Sequence, residues 1–311
     1  MPEAYTHLRC AQGGAALARI RPQDPEAFAA GANGPDIFFC YRCWLPAARR
    51  GQNLPALGSW LHRHNTGAFL LALLDHARTP VQQSYALGFL THYAVDRVLH
   101  PYVGAISGPQ GPYHRPGGHG YFEGALDSAL HRHDTGDGAV PVRDSLPRLT
   151  GSRLAEVGVL LQQALQEACG VQVTREALAD TFHHSWYWRR MFVSRLRIKR
   201  GFFWLVEPLF GGRSHITGHM TPAHLRCKEL PAQWTDPATG LWKHADLEQL
   251  LGEAQRRSAA YLEVGVGYWQ GKLDRSQLKR ILGSASYDTD TEDGDSTGNQ
   301  SFVFELTQDW E

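Results

Sequence analysis

The chain has 311 residues, of which 42% are hydrophobic and 20% charged, so it can bury a sizeable core, and its length sets a soft expectation of about two domains. Lys+Arg and Asp+Glu number 31 each, and this zero net charge argues against a protein built to hold polyanionic nucleic acid. No run of 18 or more apolar residues occurs, the opening MPEAYTHLRC lacks an apolar signal core, and the five cysteines suit reduced thiols better than a disulfide framework; the expected location is cytoplasmic.

In chain order, residues 5–20 carry Leu8, Ala11, Ala15 and Ala18 at helical spacing, and Pro22 and Pro25 end that helix. Residues 31–46 are dense in Gly, Pro and aromatics and read as a loop. The apolar stripe Phe69, Leu70, Leu73, Leu74 and Ala77 predicts a helix over 66–78. Pro80 opens the next helix at a favoured early position. That helix is expected to stop before Pro101, because a residue preceding proline is pushed out of the helical region. A Gly/Pro-rich loop over 104–118 leads to a helix from about Gly120 to His131, then to a turn-rich linker around 134–150. Further helices are expected at 152–168, 174–200, 246–269 and 274–282, with weak strand signals and no internal repeat. The whole is an all-α expectation: one helical domain over 1–283, with its chemistry in 1–133 and a helical remainder in 150–283. Residues 284–301 are acidic and almost without apolar groups and are expected to be a disordered linker. The tail 302–311 either docks back on the body or trails.

Histidine is the informative count. Ten of the 16 fall within the first 133 residues, and their spacing carries the signal. His92-x-x-x-Asp96-x-x-x-His100 places imidazole, carboxylate and imidazole on one helical face, drifting about 40° per step. His119-x-x-x-Glu123 repeats that geometry on the following helix. Two helices joined by a glycine-rich loop can turn both sets inward, giving nitrogen and oxygen donors of the kind that suits zinc. Burying so many ionisable groups without a metal would carry a large desolvation penalty; the alternative is a solvated cleft lined by ordinary hydrogen-bonding groups.

The stretches AYTHLRCAQ, GANGPDIFF, LHRHNTGAF, GFLTHYAVDRVLHPYV and HGYFEGALD resemble the bacterial zinc-dependent phospholipase C family, itself similar in fold to the S1/P1 nucleases. The resemblance covers about the first 130 residues in ordered motifs, with a looser likeness beyond. It implies an all-helical phospholipase C/P1 nuclease-like domain with two to three zinc ions in a cleft. The implied ligands are Asp36, His62, His92 and Asp96 for the first ion and His100, His119 and Glu123 for the second. His7, a bridging Asp96 and the chain's terminal amine would hold the third. The implied activity is hydrolysis of a phosphodiester, possible lipids included, through a metal-activated water, with Asp36 also acting as base.

Three features depart from the secreted members. The chain begins Met-Pro rather than with tryptophan, it shows no leader, and His100 follows Asp96 by four residues where those enzymes have six. A mature Pro2 amine, five residues before His7, is the expected third-site donor, with a frayed terminus as the alternative. His64 competes with His62 for one ligand position. Cys40-x-x-Cys43 lacks a second such pair and reads as incidental. His114, His131 and His133 fall outside the motifs, and Asp127 is a candidate to hold a ligand histidine. Residues 182–204 read as a basic amphipathic helix, either lying on an anionic membrane or packed in the core with a solvated rim. The competing functions are an S1/P1-like nuclease or phosphatase, and a non-catalytic zinc-stabilised helical protein. No stable nucleic-acid partner is expected.

Overall fold

The computed structural model describes residues 4–209 and 212–292. The all-α expectation is met: helices dominate, and a two-stranded antiparallel ribbon is the one sheet among the described residues. The helices are α1 (Ala4–Leu17), α2 (Pro25–Gly31), α3 (Leu54–Leu61), α4 (Thr66–His76), α5 (Pro80–Ser107), α6 (Gly118–Thr135), α7 (Gly151–Cys169), α8 (Arg175–Phe192), α9 (Ile198–Val206), α10 (Leu247–Trp269) and α11 (Arg275–Leu282). Strands β1 (Gln233–Thr235) and β2 (Trp242–His244) pair with Trp234 opposite Lys243. Among the described residues no helix is long and apolar enough to cross a membrane.

The spine is α5, and α1, α2, α4, α6, α7 and α10 all pack on it. Its start is set locally. The Thr79 hydroxyl accepts from Gln82 N, the Gln82 side chain reaches back to Thr79 N, and Pro80 sits at the first turn. Along its length α5 passes through two apolar clusters. Tyr85, Phe89, Leu90 and Tyr93 belong to the first, with α2, α4 and α7. Val95, Leu99, Tyr102, Val103 and Ile106 belong to the second, with α6 and β1. His92 and Asp96 straddle the junction of the two clusters.

Three expectations are corrected. The spine helix does not stop before Pro101 but runs to Ser107. An interior proline costs about 3 kcal/mol; the turn beyond it buries Tyr102, Val103 and Ile106, each contributing roughly 1.5–3 kcal/mol. Pro25 begins a helix rather than ending one, because the Asp24 carboxylate caps Ala27 N at 2.9 Å. The 174–200 helix is broken: Val193 bridges to Thr221, Ser194 N donates to Thr221 O at 2.7 Å, and Arg197 takes a left-handed φ of 58° before α9 starts. A partner distant in sequence thus ends α8.

The expectation of disorder over 284–301 is also corrected for its described part. Residues 284–292 form a strap folded back on itself by an Ala285–Glu292 bridge and a Ser286 N to Thr291 O bond of 2.8 Å. Arg97 and Arg257 grip Asp290 at 2.5 and 3.1 Å, and Ala285 N donates to Tyr93 OH at 3.0 Å. An acidic composition here is matched to basic partners on α5 and α10. Residues 293–301 of that linker, the 302–311 tail and the Pro2 amine lie outside the described residues.

Candidate metal centre

Asp96 is the centre of the site. Its side chain is 1% exposed and lies 2.9 Å from His92 Nε2, 3.1 Å from His7 Nε2, 3.4 Å from His100 Nε2 and 3.9 Å from His62 Nε2. His92 and His100 come from its own helix by i,i+4 spacing, His7 from α1 and His62 from the end of α3. Neither Asp96 oxygen, nor His92 Nε2, makes a hydrogen bond of normal geometry. Their donor atoms converge on shared space rather than on each other, which is what a cation between them requires.

Backbone carbonyls aim the rings. His62 Nδ1 lies 2.7 Å from Gly58 O, which turns its Nε2 toward Asp36 Oδ1 at 3.2 Å. His92 Nδ1 lies 3.2 Å from Ala32 O and so presents Nε2 to Asp96. Fixing one ring nitrogen on a carbonyl sets the tautomer that leaves the other free to ligate. His64 points elsewhere, its ring against Trp60 at 5.3 Å, so His62 is the histidine brought to the cleft. Asp36 arrives on the 3-10 segment Gly34–Cys40, where the sequence reads as loop. Gly34 is required there: its φ is 50°, and a Cβ would fall 2.1 Å from the His92 ring.

A second group forms where α5 faces α6. The ligand atoms of His100, His119 and Glu123 lie within 4.8 Å of one another, as do those of His62, His92 and Asp96 and of His7, Asp36 and His92. His119 Nε2 is 2.7 Å from Glu123 Oε1, and His100 Nε2 is 3.8 Å from it. Glu123 is buried whereas the His119 side chain is 52% exposed, so this group opens to solvent and the Asp96 group lies deeper. All eight residues singled out from the sequence thus fall into one connected cluster.

The electrostatics favour the ligating forms. Burial would raise the Asp96 carboxyl, but the His100, His92 and His7 rings outweigh it and hold it well below the usual carboxylate range. Glu123 is likewise held down, with His119 foremost among the groups opposing its burial. Burial lowers His92, which favours the neutral imidazole a metal needs. A donor set of imidazoles and carboxylates, with buried oxygens left without hydrogen bonds, fits zinc.

Some sequence candidates fall elsewhere. Asp127 accepts from Tyr5 N, Thr6 N and Thr6 Oγ1 at 3.1, 2.9 and 2.7 Å, fastening the start of α1 that carries His7. His131 pairs with Asp144 at 3.0 Å, His133 with Asp134 at 2.9 Å, and His114 is exposed. Cys40 is buried, with its thiol pushed up to about 11 by burial, and Cys43 is exposed; neither is in a disulfide.

Other residues near the cleft carry no motif signal. Asp288 Oδ1 lies 3.4 Å from His100 Nδ1. Against its burial, the His100 ring and Arg63 hold Asp288 at about 2. The Tyr287 ring packs on His62 and His92 at 5.3 and 5.8 Å, and Tyr287 N and Ser286 Oγ both donate to His62 O. His219 sits against α6 so closely that a Cβ on Gly120 would fall 2.0 Å from its ring, and burial lowers its pKa to about 4.

Residues 6–156 match the model of the protein family described as zinc dependent phospholipase C. The family defines a zinc-dependent hydrolase of phosphoester bonds, and all eight cleft residues lie inside the matched span. No curated protein and no solved structure matches the chain.

Proposed function

We propose that the protein is a phospholipase C-like phosphodiester hydrolase that holds two to three zinc ions in this cleft. The observation that carries the reading is one buried carboxylate, Asp96, within reach of four imidazole nitrogens and lacking hydrogen bonds of normal geometry. Asp36, His62, His92 and Asp96 would hold one ion, His100, His119 and Glu123 a second, and His7 with Asp96 would contribute to a third. When bound, zinc supplies positive charge that polarises the phosphoryl group and acidifies water.

The chain's own residues do the rest. Asp36, held below the usual carboxylate range despite its burial by nearby positive charge and its contact with His62, accepts the proton of the attacking water. The solvent-open His100, His119 and Glu123 group admits substrate. Lipid as the substrate is supported by α9, none of whose residues is buried. Leu196, Ile198, Leu205 and Leu209 are each more than 70% exposed, with Arg195, Arg197 and Lys199 interspersed. Apolar side chains in a basic setting suit an anionic phospholipid surface. This surface replaces the continuous 182–204 helix expected from the sequence. It also flanks the cleft, since α9 packs on the 217–219 turn, which packs on α6 beside His119.

The test is elemental analysis of the purified protein together with turnover of a soluble phosphodiester and of phosphatidylcholine vesicles, with and without chelator. Chelator-sensitive release of the phosphorylated headgroup is expected. A folded protein that takes up no zinc and turns over neither substrate sinks the reading.

A further inference from the structure

Arg189, in the last turn of α8, is 6% exposed and makes no ion pair among the described residues, and its buried Nε has no hydrogen-bond partner. It lies on the helix that packs against the Gly34–Cys40 segment. One turn earlier Ser185 Oγ donates to Ile37 O at 2.8 Å, fixing this face of α8 against the segment that carries Asp36. The guanidinium lies close enough to Asp36 and Asp127 to feel their charge. Those carboxylates are committed: Asp36 faces His62, and Asp127 caps α1. Arg97, also largely buried, shows what a compensated arginine looks like, with Asp290 at 2.5 Å and Tyr261 OH at 2.6 Å.

A guanidinium stays charged even when burial pushes its pKa down. Burying it without a counter-charge is costly. Asp36 and Asp127 act on it only through space, and no acidic side chain of the described residues makes an ion pair with it, so an anion reaching the Asp36 segment is the natural partner. Planar N–H donors match the oxygens of a phosphoryl group. We propose that Arg189 is a phosphate-binding residue, supplying guanidinium N–H donors to the phosphoryl oxygens of the substrate and of the phosphorylated product. The proposal rests on the hydrolase reading for the ligand's identity, but inorganic phosphate tests it separately.

The experiment uses the full zinc-loaded chain with Arg189→Met, Arg189→Gln and Arg189→Lys. It reads zinc content, kcat and KM on a soluble phosphodiester, the inhibition constant of inorganic phosphate, and Tm with and without phosphate. Charge-assisted hydrogen bonds of this kind correspond to about a tenfold to hundredfold change in binding. The Met variant is expected to lose that much phosphate affinity, and a similar factor in kcat/KM, while keeping its zinc. Lys should restore part of both. Without phosphate the Met variant's Tm should equal or exceed that of the wild type, because an uncompensated charge has been removed; the phosphate-induced rise in Tm should shrink.

An unchanged phosphate inhibition constant and an unchanged phosphate-induced Tm rise overturn the proposal. So does a large drop in the phosphate-free Tm or in zinc content, which would make Arg189 structural. If the Met variant does not fold, the Gln variant decides the same comparison. If the wild type turns nothing over, the hydrolase reading fails, and the phosphate-dependent Tm of wild type against variant still judges Arg189.

Discussion

The cleft and helix α9 invert the usual partition of side chains in opposite directions. In the cleft, Asp96, Glu123, His7, His62 and His92 are ionisable groups buried as deeply as core leucines. On α9 and its flanks, Leu196, Ile198, Phe202, Leu205 and Leu209 are apolar groups left in solvent. Each arrangement is costly in the protein alone, the first through desolvation and the second through exposed apolar area. On the proposed reading, each becomes favourable when something outside the chain is added: a cation for the first, a lipid surface for the second. The proposed function makes the two violations two halves of one binding event, and that is what the following variants test.

The largest effect should come from breaking the buried half. Asp96→Asn removes the carboxylate that four rings surround, and we expect loss of more than one zinc equivalent and a fall in turnover beyond about 10³-fold, since metal charge stabilisation amounts to several kcal/mol. Elemental analysis and initial rates check this. An Asn variant with a full metal load would remove Asp96 from the ligand set.

Asp36→Ala comes next, with an expected drop in kcat of about 10²–10⁴-fold. A variant that keeps near wild-type turnover assigns the base elsewhere.

Zinc removal should destabilise as well as inactivate. A ligand present at a thousandfold its Kd contributes about 4 kcal/mol to folding stability, so chelation should lower Tm by many degrees. An unchanged Tm would mean that the buried donors are satisfied without metal.

The exposed half is sharpened by Phe202→Glu combined with Leu205→Glu. Surface changes away from packing usually alter stability by less than about 0.5 kcal/mol, so Tm should hold. The ratio of vesicle turnover to soluble-substrate turnover should fall, most steeply on anionic vesicles. Equal losses on both substrates would detach α9 from lipid binding.

The two halves were not equally legible. The cleft was readable because helical periodicity puts His92, Asp96 and His100 on one face and His119 with Glu123 on another, so local spacing already encodes the convergence. His7, Asp36 and His62 have no such spacing and came from the family likeness alone. Arg189, His219 and Asp288 were invisible to both routes, because nothing local links residues from α8, a late turn and a C-terminal strap to a site in the first half. The α9 surface was half seen. Its composition was noted, but the break at Val193 depends on Thr221, a partner 28 residues away. Composition misled outright at 284–292, where acidic residues read as disorder were answers to Arg97, Arg257 and Arg63.

The smallest expected effect is a control that separates buried carboxylates needing metal from one that does not. Asp24 is 9% exposed and fully partnered within the chain: it caps Ala27 N at 2.9 Å and accepts from Arg153 Nε at 2.6 Å. Burial alone would raise its pKa, but Arg153 and the capped N–H groups outweigh this and leave it below the ordinary value. A carboxyl lowered in the folded state binds its proton less readily there than in the unfolded chain, so its contribution is fully present above the unfolded value of about 3.9. That contribution is lost as pH falls through the lower folded value. Asp24→Ala should therefore cost about 1 kcal/mol at neutral pH, the usual worth of a helix cap. The difference in Tm between variant and wild type should close as the pH is taken below about 4. Because no metal is involved, chelator should leave that neutral-pH difference unchanged, whereas it should abolish most of any difference made by a cleft carboxylate. A chelator-sensitive Asp24 effect would mean that α2 and the Gly34–Cys40 segment behind it are ordered by the metal centre rather than by their own caps.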